Sequence, residues 1–135
     1  MRILAIDLGD ARTGLAAGEK TTGTIQPIRV VHERDPARRL TLIEDAINDF
    51  GPDLILVGLP LNMDNTEGPQ AIAARAFAQE LASATGIEVH MQDERLTSFA
   101  ADEQLKGSDH TRKERKNIQD ALAAAELIRD YLASQ

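Results

Sequence analysis

Acidic residues stand at three places in this 135-residue chain where an apolar segment ends or a helical pattern begins. Asp7 closes the apolar run RILAID, and Asp93 and Glu94 follow the apolar stretch from Ile87 to Met91. Asp120 lies early in the C-terminal helical pattern. Carboxylates that converge from two strand ends and one helix suit a hard divalent cation such as Mg²⁺ or Mn²⁺. Two such ions can activate water and stabilise the leaving oxygen in phosphodiester cleavage.

Each of these acids also has an explanation that needs no metal. Asp7 would simply end a strand. The two acids that follow the later strand would form a polar turn, with Arg95 pairing to one of them. Asp120 would be stabilised near a helix N-terminus by the helix dipole. However, Asp120 shares a helix flank with apolar residues, so we expect it to be partly buried and to have a cation nearby; these neighbours are Ala124, Leu127 and Tyr131.

Other chemistries are poorly supported by the sequence. The chain has no cysteine, which excludes thiolate metal sites, and its three histidines show no metal-ligand spacing. Gly9 and Gly14 have the spacing of a P-loop, but Leu15 follows where that motif requires lysine. Neither GxSxG nor GxGxxG occurs. One tyrosine and three phenylalanines are too few for a base-stacking platform.

Composition indicates one compact domain over residues 1–135, with 42% apolar residues to form its core. No apolar stretch approaches the roughly 20 residues of a membrane span, and no secretory signal is evident, so we expect a cytoplasmic protein without a membrane partner. The net charge of −7 argues against nucleic acid, but basic residues cluster in HTRKERK (110–116). This cluster is either a solvated loop or a phosphate-binding surface; its cations are Arg112, Lys113, Arg115 and Lys116.

The N-terminal third of the chain predicts three strands joined by short connections, an antiparallel meander. The first strand is Arg2 to Asp7, with Asp7 on the same face as Ile3 and Ala5. Gly9 and Gly14 are expected to bracket the turn into a second strand at Leu15 to Gly18. A third strand is expected from Ile28 to Val31, after Pro27.

Helices and strands then alternate. A first helix is capped by Asp35 and ended by Gly51, and a strand from Asp53 to Gly58 follows it. A second helix from Pro69 to Gly86 is predicted to bury Ile72, Ala73, Ala76, Phe77 and Leu81. After the strand from Ile87 to Met91, a short helix to about Leu105 and a loop to Lys116 precede a helix from about Asn117 to Ala133. The fold class is therefore α/β, a mixed sheet flanked by helices.

Four stretches, in order and spacing, resemble the YqgF/RuvX family: IDLGDARTGLAAG, VGLPLNMDNTEG, DERLTSFAA and IQDALAAAELIRDYL. The resemblance covers nearly the whole chain. It implies a ribonuclease H-like fold with a five-stranded mixed sheet. Members of the family are described as nucleases that mature the end of pre-16S rRNA, and also as Holliday-junction-resolvase-like. The resemblance therefore implies a metal-dependent nuclease that acts on structured RNA in ribosomal particles, using Mg²⁺ or Mn²⁺.

Carried over to this sequence, the resemblance makes Asp7, Glu94 and Asp120 the catalytic and metal-binding residues. For the second of these acids, strand alternation favours Asp93 instead of Glu94, because it puts Asp93 on the apolar face of Val89 and Met91. Substrate phosphates would be met by basic residues, namely Arg12, Arg95, Arg112, Lys113, Arg115 and Lys116. Asn62 and Thr66 would position the backbone or the scissile strand.

Small departures from the family pattern remove none of these residues. Asn65 stands where glycine is usual, and asparagine tolerates the left-handed conformation that such a position can require. Ser98 replaces a threonine and keeps its hydroxyl. Asp10 stands where a neutral residue is usual, and its negative charge beside the expected site has no explanation in the sequence.

Three other functions compete with the RNA nuclease. A junction resolvase would use the same chemistry on branched DNA and would need a dimer, whereas the sequence leaves monomer and homodimer open. A non-catalytic ribosome-assembly factor would bind RNA through the basic cluster alone. A nucleotide phosphohydrolase of the actin or sugar-kinase type also begins with Asp-x-Gly after a strand, but it closes two domains around ATP.

Overall fold

The computed structural model describes residues 1–94 and 112–135, with side chains for residues 1–94 and 119–135. Five strands are present in this part of the chain: β1 (Arg2–Asp7), β2 (Arg12–Glu19), β3 (Thr24–His32), β4 (Leu54–Leu59) and β5 (Glu88–Asp93). It also contains three helices, α1 (Pro36–Phe50), α2 (Pro69–Thr85) and α3 (Arg112–Ala133).

The five strands form one mixed sheet in the order β3-β2-β1-β4-β5. The first three strands are the predicted antiparallel meander, and β4 and β5 run parallel to β1. β1 occupies the centre, which explains why its segment is apolar on both faces. Pro27 is tolerated in β3 because this strand lies at the edge of the sheet and pairs only with β2. The predicted mixed five-stranded sheet flanked by helices is confirmed.

Helices cover both faces of the sheet. On one face, Leu4 and Ile6 of β1 pack in a cluster with residues of α1 and α2, including Ile43 and Phe77. On the other face, strand residues pack against α3; they include Ile3, Ala5, Leu54 and Leu56, opposite Ala124, Leu127 and Ile128. Among the described residues, no helix combines the length and apolar character needed to cross a membrane.

The limits of α1 are those that the sequence predicts. The Asp35 side chain accepts a hydrogen bond from the Arg38 backbone N–H at 3.0 Å, which satisfies a donor in the first turn. Gly51 ends the helix in a left-handed conformation at φ 67°.

Two predictions about local structure are wrong. β2 begins at Arg12, so Gly14 lies inside the strand and does not close the turn. In α2, Phe77 and Leu81 are buried as predicted, but Ala73 and Ala76 are exposed and Ile72 is 61% exposed. The small residues Ala71, Ala74 and Ala78 lie against the sheet instead, because they fit the helical spacing of Phe77 and Leu81.

The last helix is longer than predicted. It begins at Arg112, although the charge run up to Lys116 was expected to be a loop. Arginine, lysine and glutamate favour helices, and no glycine or proline interrupts this run, so the charged segment continues the helix. Arg95 and the short helix expected up to about Leu105 lie outside the described residues, as do the side chains of the basic cluster.

Candidate active site

The carboxyl ends of three parallel strands meet at one edge of the sheet. Asp7 ends β1, Leu59 ends β4, and Asp93 ends β5 with Glu94 next to it. Because β2 is antiparallel to β1, its first residue, Arg12, lies at this same edge. The predicted strand-end acids therefore share one edge of the sheet, where sites in open α/β sheets are commonly found.

Asp7 and Glu94 are joined by a hydrogen bond between their carboxyl groups. The pKa of Glu94 is raised to about 9, mainly by burial and also by its hydrogen bond to Asp7 and by the charges of Asp7 and Asp93. Burial also raises the pKa of Asp7, although the hydrogen bond from Glu94 opposes that shift. At neutral pH Glu94 therefore keeps its proton and donates it in the hydrogen bond to Asp7.

Gly58 makes this contact possible. It lies in β4, between β1 and β5, and a Cβ at this position would overlap the Glu94 carboxyl group and approach Leu127 Cδ1 at 3.3 Å. The Glu94 side chain thus crosses β4 on the face covered by α3, which is also the face of Asp7. Asp93 is on the opposite face and is exposed. Strand alternation therefore favours Glu94 as the partner of Asp7.

Asp120 is held at the same edge by two contacts with β2. Its Oδ2 lies 3.0 Å from Arg12 Nε, and its side chain is 22% exposed. Its backbone carbonyl lies so close to Gly14 that a Cβ there would collide with it. The partial burial of Asp120 and the cation beside it, Arg12, agree with what the sequence predicts. Since α3 begins at Arg112, however, Asp120 is beyond the first turn, and the helix dipole does not account for it.

An open cleft of about 960 Å³ joins these residues. Asp7 and Asp120 line it together with Arg12, and His32 and Arg34 contribute from the end of β3 and the residues after it. The turn from Leu8 to Ala11 also lines it. The cleft places two guanidinium groups, those of Arg12 and Arg34, among four carboxyl groups; these belong to Asp7, Asp10, Glu33 and Asp120.

The three predicted acids do not form one ligand cluster in this conformation. Within residues 1–94 and 112–135, no group of three His, Asp or Glu side chains lies close enough together to hold a metal ion. Asp7 contacts Glu94, whereas Asp120 shares the cleft with Asp7 and pairs with Arg12. The set of three ligands therefore stays a prediction.

The loop between β4 and α2 is braced by its own polar side chains. Asn62 Nδ2 donates to Thr66 Oγ1 at 2.9 Å, and the Asn62 backbone N–H donates to the Thr66 carbonyl at 2.9 Å. Thr66 in turn donates to Asp64, which lowers the pKa of that carboxyl group. Among the described residues, Asn65 alone has a positive φ without being glycine, at 70°, as its place in the sequence predicts.

Comparison with known proteins identifies the family. The model of the RuvX family, described as Holliday junction resolvase, matches residues 1–134. The chain belongs to the RuvX family. A protein of Anaeromyxobacter sp. (strain Fw109-5) named "Putative pre-16S rRNA nuclease" is 42% identical over 132 residues, which cover 98% of this chain and 96% of that one. A protein of the same name from Moorella thermoacetica is 36% identical, covering 98% and 94%.

Solved structures agree with the ribonuclease H-like fold of this RuvX-family chain. The fowlpox virus Holliday junction resolvase aligns with a TM-score of 0.64 at 14% identity, and each chain is covered over 100% of its length. Thermus thermophilus RuvC aligns with a TM-score of 0.57 at 20% identity, covering 99% of this chain and 96% of that one. At these identities the likeness concerns the fold.

Sequence reasoning missed three residues of this RuvX-family site. Gly58 and Gly14 lie inside buried strands, where a glycine often marks the close approach of another group, and that signal was available. Arg39 of α1 reaches the turn after β1, where its Nη1 donates to the Gly9 carbonyl at 3.3 Å. One arginine on an amphipathic helix gives no such signal in the sequence.

Proposed function

We propose that this protein is a divalent-metal-dependent nuclease that hydrolyses phosphodiester bonds in structured RNA, at the end of pre-16S rRNA. The observation that carries the proposal is the Asp7–Glu94 pair at the carboxyl edge of the sheet. The names of its relatives support an rRNA substrate. A pre-rRNA substrate implies action on ribosomal particles in the cytoplasm.

The donor chemistry of the pair fits Mg²⁺ or Mn²⁺. Two carboxyl groups that share one proton can release it and bind a divalent cation in its place. Mg²⁺ commonly binds one or two carboxylates and completes its coordination shell with water and substrate phosphate. The two carboxyl groups of the pair are therefore enough protein ligands for one such ion. When bound, such a metal supplies an activated water and stabilises the leaving oxygen. Asp7 and Glu94 would hold it.

Asp120 and Arg12 have a joint role in this proposal. Their ion pair is partly exposed, with Arg12 36% and Asp120 22% accessible, so it contributes about 1 kcal/mol or less. An RNA phosphate that enters the cleft can therefore replace Asp120 as the partner of the Arg12 guanidinium at little cost in free energy. Asp120 is then released from this ion pair and completes the ligand set, which couples substrate binding to the assembly of the site.

The remaining basic residues are proposed to bind RNA away from the cut. Four of them begin α3, whose later part forms one wall of the cleft through Asp120. Contacts of this kind depend on local charge, so the overall charge of −7 does not oppose them. The proposed set is Arg95, Arg112, Lys113, Arg115 and Lys116.

A cleavage assay tests the proposal. Precursor RNA carrying the 16S end is incubated with the wild type and with Asp7→Asn, each with Mn²⁺ and with EDTA. The wild type should cleave only with Mn²⁺, and Asp7→Asn should be inactive. Equal cleavage by both proteins would refute the assigned mechanism. RNA binding without cleavage by the wild type would instead support a non-catalytic assembly factor.

A second candidate is cleavage of four-way DNA junctions, which the family model's description favours. The same acids would serve, because metal-assisted phosphodiester hydrolysis does not itself distinguish RNA from DNA. Resolution requires two coordinated cuts and hence a homodimer, whereas end processing suits a monomer. A labelled junction offered beside the precursor RNA separates the two: paired symmetric nicks in DNA would replace the RNA proposal.

A further inference from the structure

A second cleft begins at the Asp7–Glu94 pair and runs away from Arg12 and Asp120. It measures about 220 Å³ and lies on the other side of the turn after β1. Arg39 of α1 and Gln70 of α2 line it, with Asp7 and Glu94 at one end. A third cleft of about 460 Å³ shares Asp10, Gln70 and Ala73 with it and continues to Asn62. These three clefts adjoin through shared lining residues and are together called the groove.

Arg39 has unused hydrogen-bonding capacity in the second cleft. Its Nη1 donates to the Gly9 carbonyl at 3.3 Å, while its Nε is buried and has no hydrogen-bond partner. In the described part of the chain, no carboxylate forms an ion pair with it. A guanidinium has five N–H donors, and leaving a buried one unpaired is costly. An anionic acceptor in the cleft would satisfy it.

The surrounding charges indicate what kind of anion fits. Asp7 and Asp10 also line this cleft together with the protonated Glu94, and these acidic surroundings disfavour a small free anion. A phosphate that belongs to a longer strand is different, because other contacts along the groove help to hold it. Guanidinium groups line both clefts, those of Arg12 and Arg34 in the first and that of Arg39 in the second.

We propose that the second cleft binds the phosphodiester backbone of the cleaved strand beside the bond that is cut. Arg39 binds a phosphate and Gln70 contacts the adjacent sugar or base. The strand then crosses Asp7, with Arg12 and Arg39 holding phosphates on either side. Asp10 stands on the turn between the two clefts and limits how closely the backbone approaches there. The position relative to the cut rests on the proposed function, whereas strand binding by Arg39 does not.

Binding measured in EDTA tests the proposal without cleavage. Fluorescence anisotropy is recorded for a short single-stranded RNA and for DNA of the same sequence, over a range of salt concentrations. Arg39→Gln should lower affinity about tenfold and reduce the slope of log K against log salt by about 0.7, the loss of one phosphate contact on a single strand. Arg39→Lys should retain most of the affinity.

Arg38→Gln is the matched control. It removes the same charge from the neighbouring position of α1, but Arg38 is exposed and does not line the cleft. Its affinity should stay within about twofold of the wild type, because exposed charges outside the contact are screened. Equal effects of Arg39→Gln and Arg38→Gln would overturn the proposal. So would a loss of affinity in Arg39→Gln with an unchanged salt slope, which would indicate only a loosened turn at Gly9.

Gln70→Ala is a second, independent variant that leaves the Gly9 contact intact. It should weaken binding of the strand about threefold or more without changing the salt slope, since it removes a neutral contact. Loss on RNA alone would identify a 2′-hydroxyl contact, and equal loss on RNA and DNA a backbone or base contact; no loss on either would contradict the assigned role. Failure of the wild type to cleave with Mn²⁺ would count against the proposed function and not against this groove.

Discussion

Glu94 reaches across β4 over Gly58 and forms a hydrogen bond with Asp7. The contact joins the ends of two strands that are not neighbours in the sheet, since β4 lies between β1 and β5. Both acids are largely buried in this contact, and burial favours the protonated form of Glu94. A divalent cation can occupy such a pair in place of the proton.

The neighbouring acids Asp93 and Glu94 should behave oppositely. Glu94→Gln should lower metal-dependent RNA cleavage by about a hundredfold or more, because it removes a group at the reacting centre. Asp93→Asn should stay within about threefold of the wild type, since Asp93 is exposed on the other face. Steady-state cleavage rates with Mn²⁺ measure both. A larger loss in Asp93→Asn would mean that the assignment is inverted.

The choice between Asp93 and Glu94 depends on a feature of the fold that the sequence does not show. Alternation correctly puts Asp93 on the face of Val89 and Met91, but it does not say which face of the sheet carries the site. That depends on which helices cover each face, because α3 packs on the side of Ala5 and Asp7. Once this is known, the same alternation favours Glu94.

Other parts of the fold were predictable because their signals are local. Asp35 and Gly51 mark the limits of α1 through capping and a left-handed turn, and both predictions are confirmed. The start of α3 and the buried face of α2 were not predictable in this way. Residues 112–116 were expected to form a loop because they are charged, although their residue types favour a helix. In α2, Ile72 was expected to be buried because it is large and apolar, whereas alanines lie against the sheet.

Gly58→Ala should separate Glu94 from Asp7 without removing either carboxyl group. The added methyl group occupies the space of the Glu94 carboxyl group, so Mn²⁺ affinity should fall about tenfold or more, as for the loss of a supporting contact. Gly68→Ala is the control, because a Cβ there has only ordinary contacts, the nearest at 3.6 Å from Asn62. Calorimetric titration with Mn²⁺ measures the effect. Unchanged Mn²⁺ affinity in Gly58→Ala would show that the Glu94 carboxyl group does not need the space left by the missing Cβ of Gly58.

Stability of the metal-free protein should fall as pH rises from about 4.5 to about 9. The unfolded chain loses the Glu94 proton near its ordinary pKa of 4.5, whereas the folded chain keeps it to about 9. The folded state therefore binds more protons across this window, and its free energy of unfolding decreases with pH. Urea unfolding in EDTA over this range measures the slope. Glu94→Gln should flatten it, and a slope equal to that of the wild type would contradict the shared proton.

Arg12→Gln should affect substrate and metal differently. The substitution removes a cation that competes with a metal for the Asp120 carboxylate, so Mn²⁺ affinity in the absence of RNA should be equal or higher. The KM for RNA should rise about tenfold, because a charge-assisted phosphate contact is lost. Arg29→Gln, an exposed change on β3, is the control and should leave both values unchanged. Weaker Mn²⁺ binding in Arg12→Gln would show that Arg12 supports the metal site instead of competing for it.

The most direct test of the central claim is the anomalous scattering of a Mn²⁺-soaked crystal, collected on the wild type and on Glu94→Gln. We expect a manganese ion bound by carboxylate oxygens of both Asp7 and Glu94, within about 2.5 Å of each, and loss of that ion in the variant. Manganese found only away from Asp7 and Glu94, or retained unchanged in Glu94→Gln, would contradict it.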